Sequence, residues 1–375
     1  MTDFAWYAST SALVIWIINL LLPWQAWRVR EVLEAAQDSF DGVDLSDITV
    51  LIPARNEAEL IGKTLAGLEH QGQGLRIILV DDDSSDGTSD IVRQSAVPNL
   101  QLIQSAPLPP GWSGKLWAQE QGLRAVETPL TLLLDADIEL VPDIINSLKV
   151  KRLSDNLQLV SLMAVLRFET YWEKLLMPAF IHFFKMIYPF ALANKPGTKI
   201  AAAAGGCILV ETAVLREIGG MAAIQNALID DCALAKAVKT AGYKTWIGLT
   251  HGVISQRPYS NLAEIWDMVA RTAFTQLFYS TPLLLLCSAI MLLMYCVPVI
   301  GVLGFEGGQF WLCVGAFMLM VGSYLPTLRF YTLSWLWALS MPLVAILYQL
   351  MTWTSAIRYW RGERSRWKGR SYQKI

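Results

Sequence analysis

The sequence predicts an α/β domain set between an N-terminal transmembrane anchor and C-terminal transmembrane helices, and three observations carry that expectation. Short β-branched runs at residues 48–52, 77–80 and 130–134 alternate with helical segments. Residues 5–24 form one apolar stretch near the length that spans a bilayer, and beyond Tyr279 the chain is almost entirely apolar. With 375 residues, 54% hydrophobic content and a mean hydropathy of +0.39, the chain exceeds one ordinary domain and is too apolar to be wholly soluble. A net charge of -2 gives no reason to expect a nucleic-acid partner.

Taken in order, residues 1–27 are expected to be an uncleaved anchor, because the positive leader region and small-residue cleavage site of a secretory signal are missing. Arg28 and Arg30 follow at once and place the next domain in the cytoplasm. That domain is expected over residues 46–255, with its strands paired in parallel and its ligands outside their carboxyl ends. Residues 171–194 are rich in Phe, Met, Leu and Tyr but broken by Glu173, Lys174, His182, Lys185 and two prolines. An interfacial segment resting on the bilayer, or a buried helix of the catalytic domain, fits that mixture better than a span. Residues 256–279 then read as a membrane-surface linker, and residues 280–357 as a membrane region with spans near 281–303, 309–328 and 333–356. The tail 358–375 is basic, with Arg358, Arg361, Arg364, Arg366, Lys368, Arg370 and Lys374 against Glu363. Such a tail belongs on the cytoplasmic side near anionic lipid, whereas three full crossings would carry it outside. Either one segment is re-entrant or interfacial, or the charge rule fails. Cys287, Cys296 and Cys313 lie in apolar runs, and Cys207 and Cys232 stand alone, so reduced, structural cysteines are expected; the scattered histidines do not form a zinc pattern.

The polar residues gather at strand ends. The first strand runs into Pro53, Ala54, Arg55, Asn56 and Glu57, and the second into Asp81, Asp82, Asp83, Ser84, Ser85 and Asp86. A carboxylate there can accept hydrogen bonds from a base N–H or ribose hydroxyls, and an arginine can answer a phosphate; each could equally form a turn or a helix cap. The third strand delivers Asp135, Ala136 and Asp137. Alternate residues on a strand share a side, so both carboxylates can face one hard cation, which would neutralise charge on a nucleoside-diphosphate leaving group. A lone D-x-D is usually a solvated turn, but two other acidic strand ends strengthen it. Lys115, after the Pro- and Gly-rich residues 107–114, is either a diphosphate contact or a solvated lysine opening a helix. Asp230 and Asp231 precede a helix expected over 232–241 and ended by Gly242. Asp231 suits deprotonation of an acceptor hydroxyl, although a helix cap would explain the same residue.

Together these motifs resemble the family 2 glycosyltransferases, which have a GT-A (Rossmann-like) fold and invert the anomeric centre. Residues 107–116, 171–193, 201–210 and 270–277 look more narrowly like the hopanoid-associated subfamily. The resemblance implies that Pro53, Arg55, Glu57 and Asp82 line a nucleoside pocket, and that Lys115 reaches the diphosphate. It further implies that Asp135 and Asp137 hold Mg2+ or Mn2+, that Asp231 is the base, and that Gly205 and Gly206 lie near sugar and acceptor. Asp230 and Arg271 join the acceptor side. Asp83 replaces the usual glycine of Asp-Asp-Gly-Ser, and the Gln-x-x-Arg-Trp motif of processive enzymes is absent, with Arg271 followed by Thr272. That departure favours single-sugar transfer; the donor is expected to be a nucleotide sugar, first a UDP-sugar, and the acceptor a membrane lipid in a bacterial inner membrane. The acceptor is expected to be hopanoid or isoprenoid; a carotenoid, ceramide-like lipid, diacylglycerol or polyprenyl phosphate stands behind it. From another class, a membrane scaffold or transporter component with a degenerate nucleotide-binding domain would be free to lose these acids, and transport would need intramembrane charge that the spans nearly lack.

Overall fold

The computed structural model describes residues 2–36, 42–367 and 370–373. They form two units: one made of Glu31–Arg167 and Phe190–Pro258, the other of the N-terminal helix, Phe168–Pro189 and the chain from Tyr259 onward.

The first unit holds an eight-stranded sheet. Its strands are β1 (Ile48–Ala54), β2 (Arg76–Asp81), β3 (Leu100–Gln104), β4 (Leu130–Leu134), β5 (Ile138–Leu140), β6 (Leu159–Val165), β7 (Cys207–Glu211) and β8 (Thr245–Ser255), in the order β3-β2-β1-β4-β7-β6-β8-β5. Parallel pairing holds for β1 with β2 and β4, and for β2 with β3. The three runs singled out in the sequence are thus parallel as expected, but the far half of the sheet is mixed: β7 runs antiparallel to both β4 and β6, β5 is antiparallel to β8, and β6 is parallel to β8. Every residue of β1 and β4 is buried, which is why both read as continuous apolar runs instead of alternating ones.

The alternation shows instead in which layer each side chain enters. Val50 and Ile52 join a core with Ile61, Leu65, Leu68, Ile144 and Leu148 from helices Ile61–Glu69 and Ile144–Asp155. Leu51 and Val80 face the opposite core, with Leu116 and Leu123 of helix Gly114–Ala125 and Leu234 and Val238 of helix Asp230–Thr240. Full burial of each such side chain is worth about 1.5–3 kcal/mol. Pro53 sits in a central strand, where its missing N–H would normally break a ladder, but pairing with β4 stops at Leu51 and only the β2 side continues to Ala54. The sheet unit also begins earlier than expected. Val32 bridges to Leu249, the Leu33 N–H donates to the Leu249 carbonyl at 3.0 Å, and Glu34 Oε2 accepts from the His251 N–H at 2.8 Å, so residues 31–36 belong to it.

In the second unit four helices are long and apolar enough to cross a membrane: Asp3–Leu21, Thr281–Gly304, Gly307–Phe330 and Trp335–Trp360. Leu285, Leu286, Ile300, Leu303, Trp311 and Met318 point outward, a surface suited to lipid and costly in water. The π-turn Leu292–Cys296 interrupts the second of these helices, and Trp16 Nε1 donates to the Met294 carbonyl at 2.9 Å. The segment expected to rest on the bilayer or to form a buried helix of the catalytic domain is helix Tyr171–Ile187, which groups with this unit and not with the sheet unit. Its charges are buried and bonded: Glu173 accepts from the backbone of Glu169, Thr170 and Tyr259, and Lys185 Nζ donates to the Arg28 carbonyl. The expected linker forms helices Leu262–Ala270 and Ala273–Gln276, docked on the last long helix through Trp266 to Thr354 and Arg358 to Asp267. In the tail, Glu363–Trp367 pairs antiparallel with Arg370–Gln373; Lys368 and Lys374 of the expected basic run lie outside the described residues.

Candidate active site

Two loops at the carboxyl ends of β1 and β2 are laced into one surface. The Asn56 N–H donates to Ser84 Oγ at 3.0 Å, the Ser85 N–H to Asn56 Oδ1 at 2.9 Å, and the Glu57 N–H to Thr88 Oγ1 at 2.9 Å. Asn56 and Asp83 take left-handed backbone with φ of 51° and 58°, a conformation that Asn and Asp tolerate better than bulkier residues. Asp83 thereby occupies the position where the resembled motif has glycine. Arg55 donates to the Asp82 and Asp83 carbonyls, and its Nη1 lies 3.8 Å from the buried Asp82 carboxylate. Asp81 is a staple, accepting from both the N–H and the hydroxyl of Ser84 and from Ser89 Oγ. Asp86 likewise holds the loop; burial opposes ionisation, but bonds from Thr88 and the Ala58 N–H keep its carboxyl below the usual range.

An acidic cluster lies beyond β4. The strand ends at Leu134, so Asp135 and Asp137 stand on the segment just past it, each engaged by a different cationic side chain. Lys115 Nζ, in the first turn of helix Gly114–Ala125, lies 2.8 Å from Asp135 Oδ1 and 3.4 Å from Asp230 Oδ2. This is not the solvated lysine of the simpler reading. Arg257 Nε donates to Asp137 Oδ2, and its Nη2 to Glu57 Oε1, each at 2.7 Å. Burial alone would lower the Lys115 ammonium, but Asp135, Asp230 and Asp231 outweigh it and hold it above its ordinary range. Burial raises the Asp135 carboxyl; Lys115 opposes the shift, and Asp137 and Asp230 reinforce it.

Helix Asp230–Thr240 begins two residues earlier than expected, so Asp230 and Asp231 both stand in its first turn, and Asp231 Oδ2 accepts from the Gly205 N–H at 2.9 Å. Its Oδ1 accepts from the first-turn Cys232 N–H at 2.7 Å, so the residue serves the helix terminus with one oxygen and Gly205 with the other. Burial first, and Asp230 second, push its carboxyl up to about 6, against the pull of the Cys232 N–H, Lys115 and the Gly205 N–H. A Cβ at Gly205 would stand 3.3 Å from the flexible end of Lys115, a tight contact, and 3.5 Å from Asp231 Oδ2, an ordinary one. Gly206 is held against Ile138, and its carbonyl accepts from the Asp135 N–H at 3.1 Å. Arg271 lies exposed at the end of helix Leu262–Ala270, in the other unit, and takes no part in these hydrogen bonds among the described residues.

The donor set suits a hard divalent cation in part. Asp135, Asp137, Asp230, Asp231 and Glu57 crowd around the charges of Lys115 and Arg257, an excess of carboxylate that a cation would relieve. Among the described residues no three His, Cys, Asp or Glu side chains form a ready cage. That fits an ion held by one or two carboxylates and completed by substrate phosphates. Arg257 is the residue that motif reading missed. It stands two positions past β8, and the strand-end rule that singles out Asp82 and Asp135 applies to it as well.

A mixed sheet with interlaced polar loops at one end and an acidic segment after its central strand fits the GT-A class. A mannosyltransferase from Pyrobaculum calidifontis, solved in complex with GDP-Man and Mn2+, superposes with a TM-score of 0.55 at 17% identity over 95% of this chain and 100% of that one, which establishes the GT-A fold. Residues 49–219 match the family described as Glycosyl transferase family 2. A 4,4'-diaponeurosporenoate glycosyltransferase of Staphylococcus haemolyticus is 33% identical over 102 residues, 27% of this chain and 26% of its own. An undecaprenyl-phosphate 4-deoxy-4-formamido-L-arabinose transferase of Edwardsiella ictaluri is 31% identical over 100 residues, 26% and 30% respectively. The chain thus aligns with less than a third of the length of each of these two relatives.

Proposed function

We propose that the protein is an inverting glycosyltransferase that moves one sugar from a nucleotide-sugar donor to a lipid acceptor at the cytoplasmic face of a bacterial inner membrane. The observation that carries the proposal is Asp231, a carboxyl pushed up to about 6 and fixed by the Gly205 N–H beside Lys115. A group so poised takes a proton near neutral pH, as general-base catalysis requires. In this reading Asp231 removes the proton of the acceptor hydroxyl as its oxygen attacks the anomeric carbon, and the bond to the diphosphate breaks with its electron pair leaving on the nucleotide. Pro53, Arg55, Glu57 and Asp82 hold the nucleoside, and Lys115 turns from Asp135 and Asp230 to the diphosphate. Asp135 and Asp137 would hold Mg2+ or Mn2+, which neutralises charge on the departing nucleotide when bound. Asp230, Gly205 and Gly206 border the sugar and acceptor; the family resemblance alone assigns Arg271 to the acceptor, and on that assignment Arg271→Ala should raise the acceptor KM more than it lowers kcat.

The lipid acceptor is supported by the four apolar helices and by two relatives whose names specify a carotenoid acid and a prenyl phosphate. Within that class a hopanoid or related isoprenoid alcohol is the first choice. The undecaprenyl-phosphate relative favours a second reading, in which the acceptor is a phosphate that needs no base. The test is nucleotide release by purified protein in lipid nanodiscs, offered UDP-, GDP- and dTDP-sugars with Mn2+, with and without extracted hopanoid lipid, beside Asp137→Ala. Release of one nucleotide that depends on metal, rises with the lipid and vanishes in the variant is the expected result. No turnover and no nucleotide-sugar binding under any condition would leave the scaffold reading in its place.

A further inference from the structure

Arg257 belongs to none of the motifs that mark the site, yet its guanidinium joins two of them. Strand β8 pairs antiparallel with β5, placing Ser255 opposite Ile138, and the Gln256 N–H donates to the Asp137 carbonyl at 2.8 Å. Gln256 is itself anchored, by Nε2 to Glu139 Oε2 at 2.7 Å and by its Oε1 to Lys63 Nζ at 3.0 Å. The ladder therefore delivers Arg257 beside the turn of residues 135–137 at a fixed height. From there one fork of its guanidinium takes Asp137 Oδ2 and another takes Glu57 Oε1. The two carboxylates are only 12% and 9% exposed, so without a shared cation their repulsion would be poorly screened and would drive them apart.

We infer that Arg257 is a positioning residue that sets the Glu57 carboxylate, on the loop after β1, and the Asp137 carboxylate, on the turn after β4, in one arrangement ready for the metal and nucleotide of the donor. This rests on the donor-site reading above. Arg257 bonds Asp137 through Oδ2, as an outer partner of a metal ligand would. Lysine is no substitute, because a single ammonium cannot engage two acids in the planar geometry of the guanidinium.

The experiment is a Mn2+ titration of the full chain in lipid nanodiscs, read by electron paramagnetic resonance with UDP or GDP present, for the native protein, Arg257→Ala and Arg257→Lys. Thermal unfolding is recorded alongside. Loss of such an outer partner weakens metal binding by about 10–100-fold, and that weakening is expected in Arg257→Ala and, with the charge retained and the fold protected, in Arg257→Lys. Unchanged Mn2+ affinity in a folded Arg257→Lys overturns the inference, and so does tighter binding, which would make Arg257 a competitor of the ion. Native protein that binds neither Mn2+ nor nucleotide would overturn the donor-site reading and this inference together, an outcome distinct from native binding that the variants share.

Discussion

A carboxylate that works as a base near neutral pH needs a proton affinity above that of a free aspartate, and the surroundings of Asp231 provide it through burial and the adjacent Asp230. Only the ionised form can accept the proton, so activity should rise with pH through about 6 and then level off. Asp231→Asn should lower kcat by about 100- to 10,000-fold and abolish that limb, measured as a pH profile of kcat/KM. Lys115 pulls the Asp231 value down, so Lys115→Ala should move the limb to higher pH as well as weaken donor binding; a limb that stays in place would separate Lys115 from the base. At this scale the positions of the strand-end motifs were legible, because Arg55, Glu57, Asp82, Asp135 and Asp137 follow strands that announce themselves and Pro53 lies within one. Arg257 was not, since its partners Glu57 and Asp137 are 200 and 120 residues away in the chain and nothing local links them.

Elements were legible wherever burial on both faces leaves an unbroken apolar run, as in β1 and β4. Direction was not: an antiparallel strand such as β7 has the same composition as a parallel one, and only its place between β4 and β6 distinguishes it. Helix Tyr171–Ile187 exposes the same limit, because an apolar face interrupted by Glu173 and Lys185 suits a bilayer surface as well as a protein interior that supplies hydrogen bonds. Thr170 caps that helix and shares a capping box with Glu173, so Thr170→Ala should cost about 1 kcal/mol in unfolding while leaving donor affinity unchanged. Helix Gly114–Ala125 approaches the sheet so closely that a Cβ at Gly122 would stand 2.2 Å from Leu51 Cδ1. Gly122→Ala should therefore destabilise by about 1–3 kcal/mol and, by shifting the helix that carries Lys115, weaken nucleotide binding too, seen by calorimetry and nucleotide titration together.

For the whole molecule, one chain combines a GT-A unit whose acids gather at the strand ends with a unit whose outward surface is apolar. Composition alone pointed to that combination, since 54% hydrophobic content cannot be buried within one sheet domain of this kind. Membrane fractions washed with high salt and alkaline carbonate should retain the protein, and detergent should release it; release by salt alone would contradict spanning helices. The central claim is that Asp231 serves transfer of a single sugar to a lipid. Mass spectrometry of the lipid extract after reaction in nanodiscs tests it most directly, comparing native protein with Asp231→Asn at pH above 7. The account predicts a lipid heavier by one sugar residue with the native protein and almost none with the variant. Equal product from both, or a lipid carrying a chain of sugars, would contradict it.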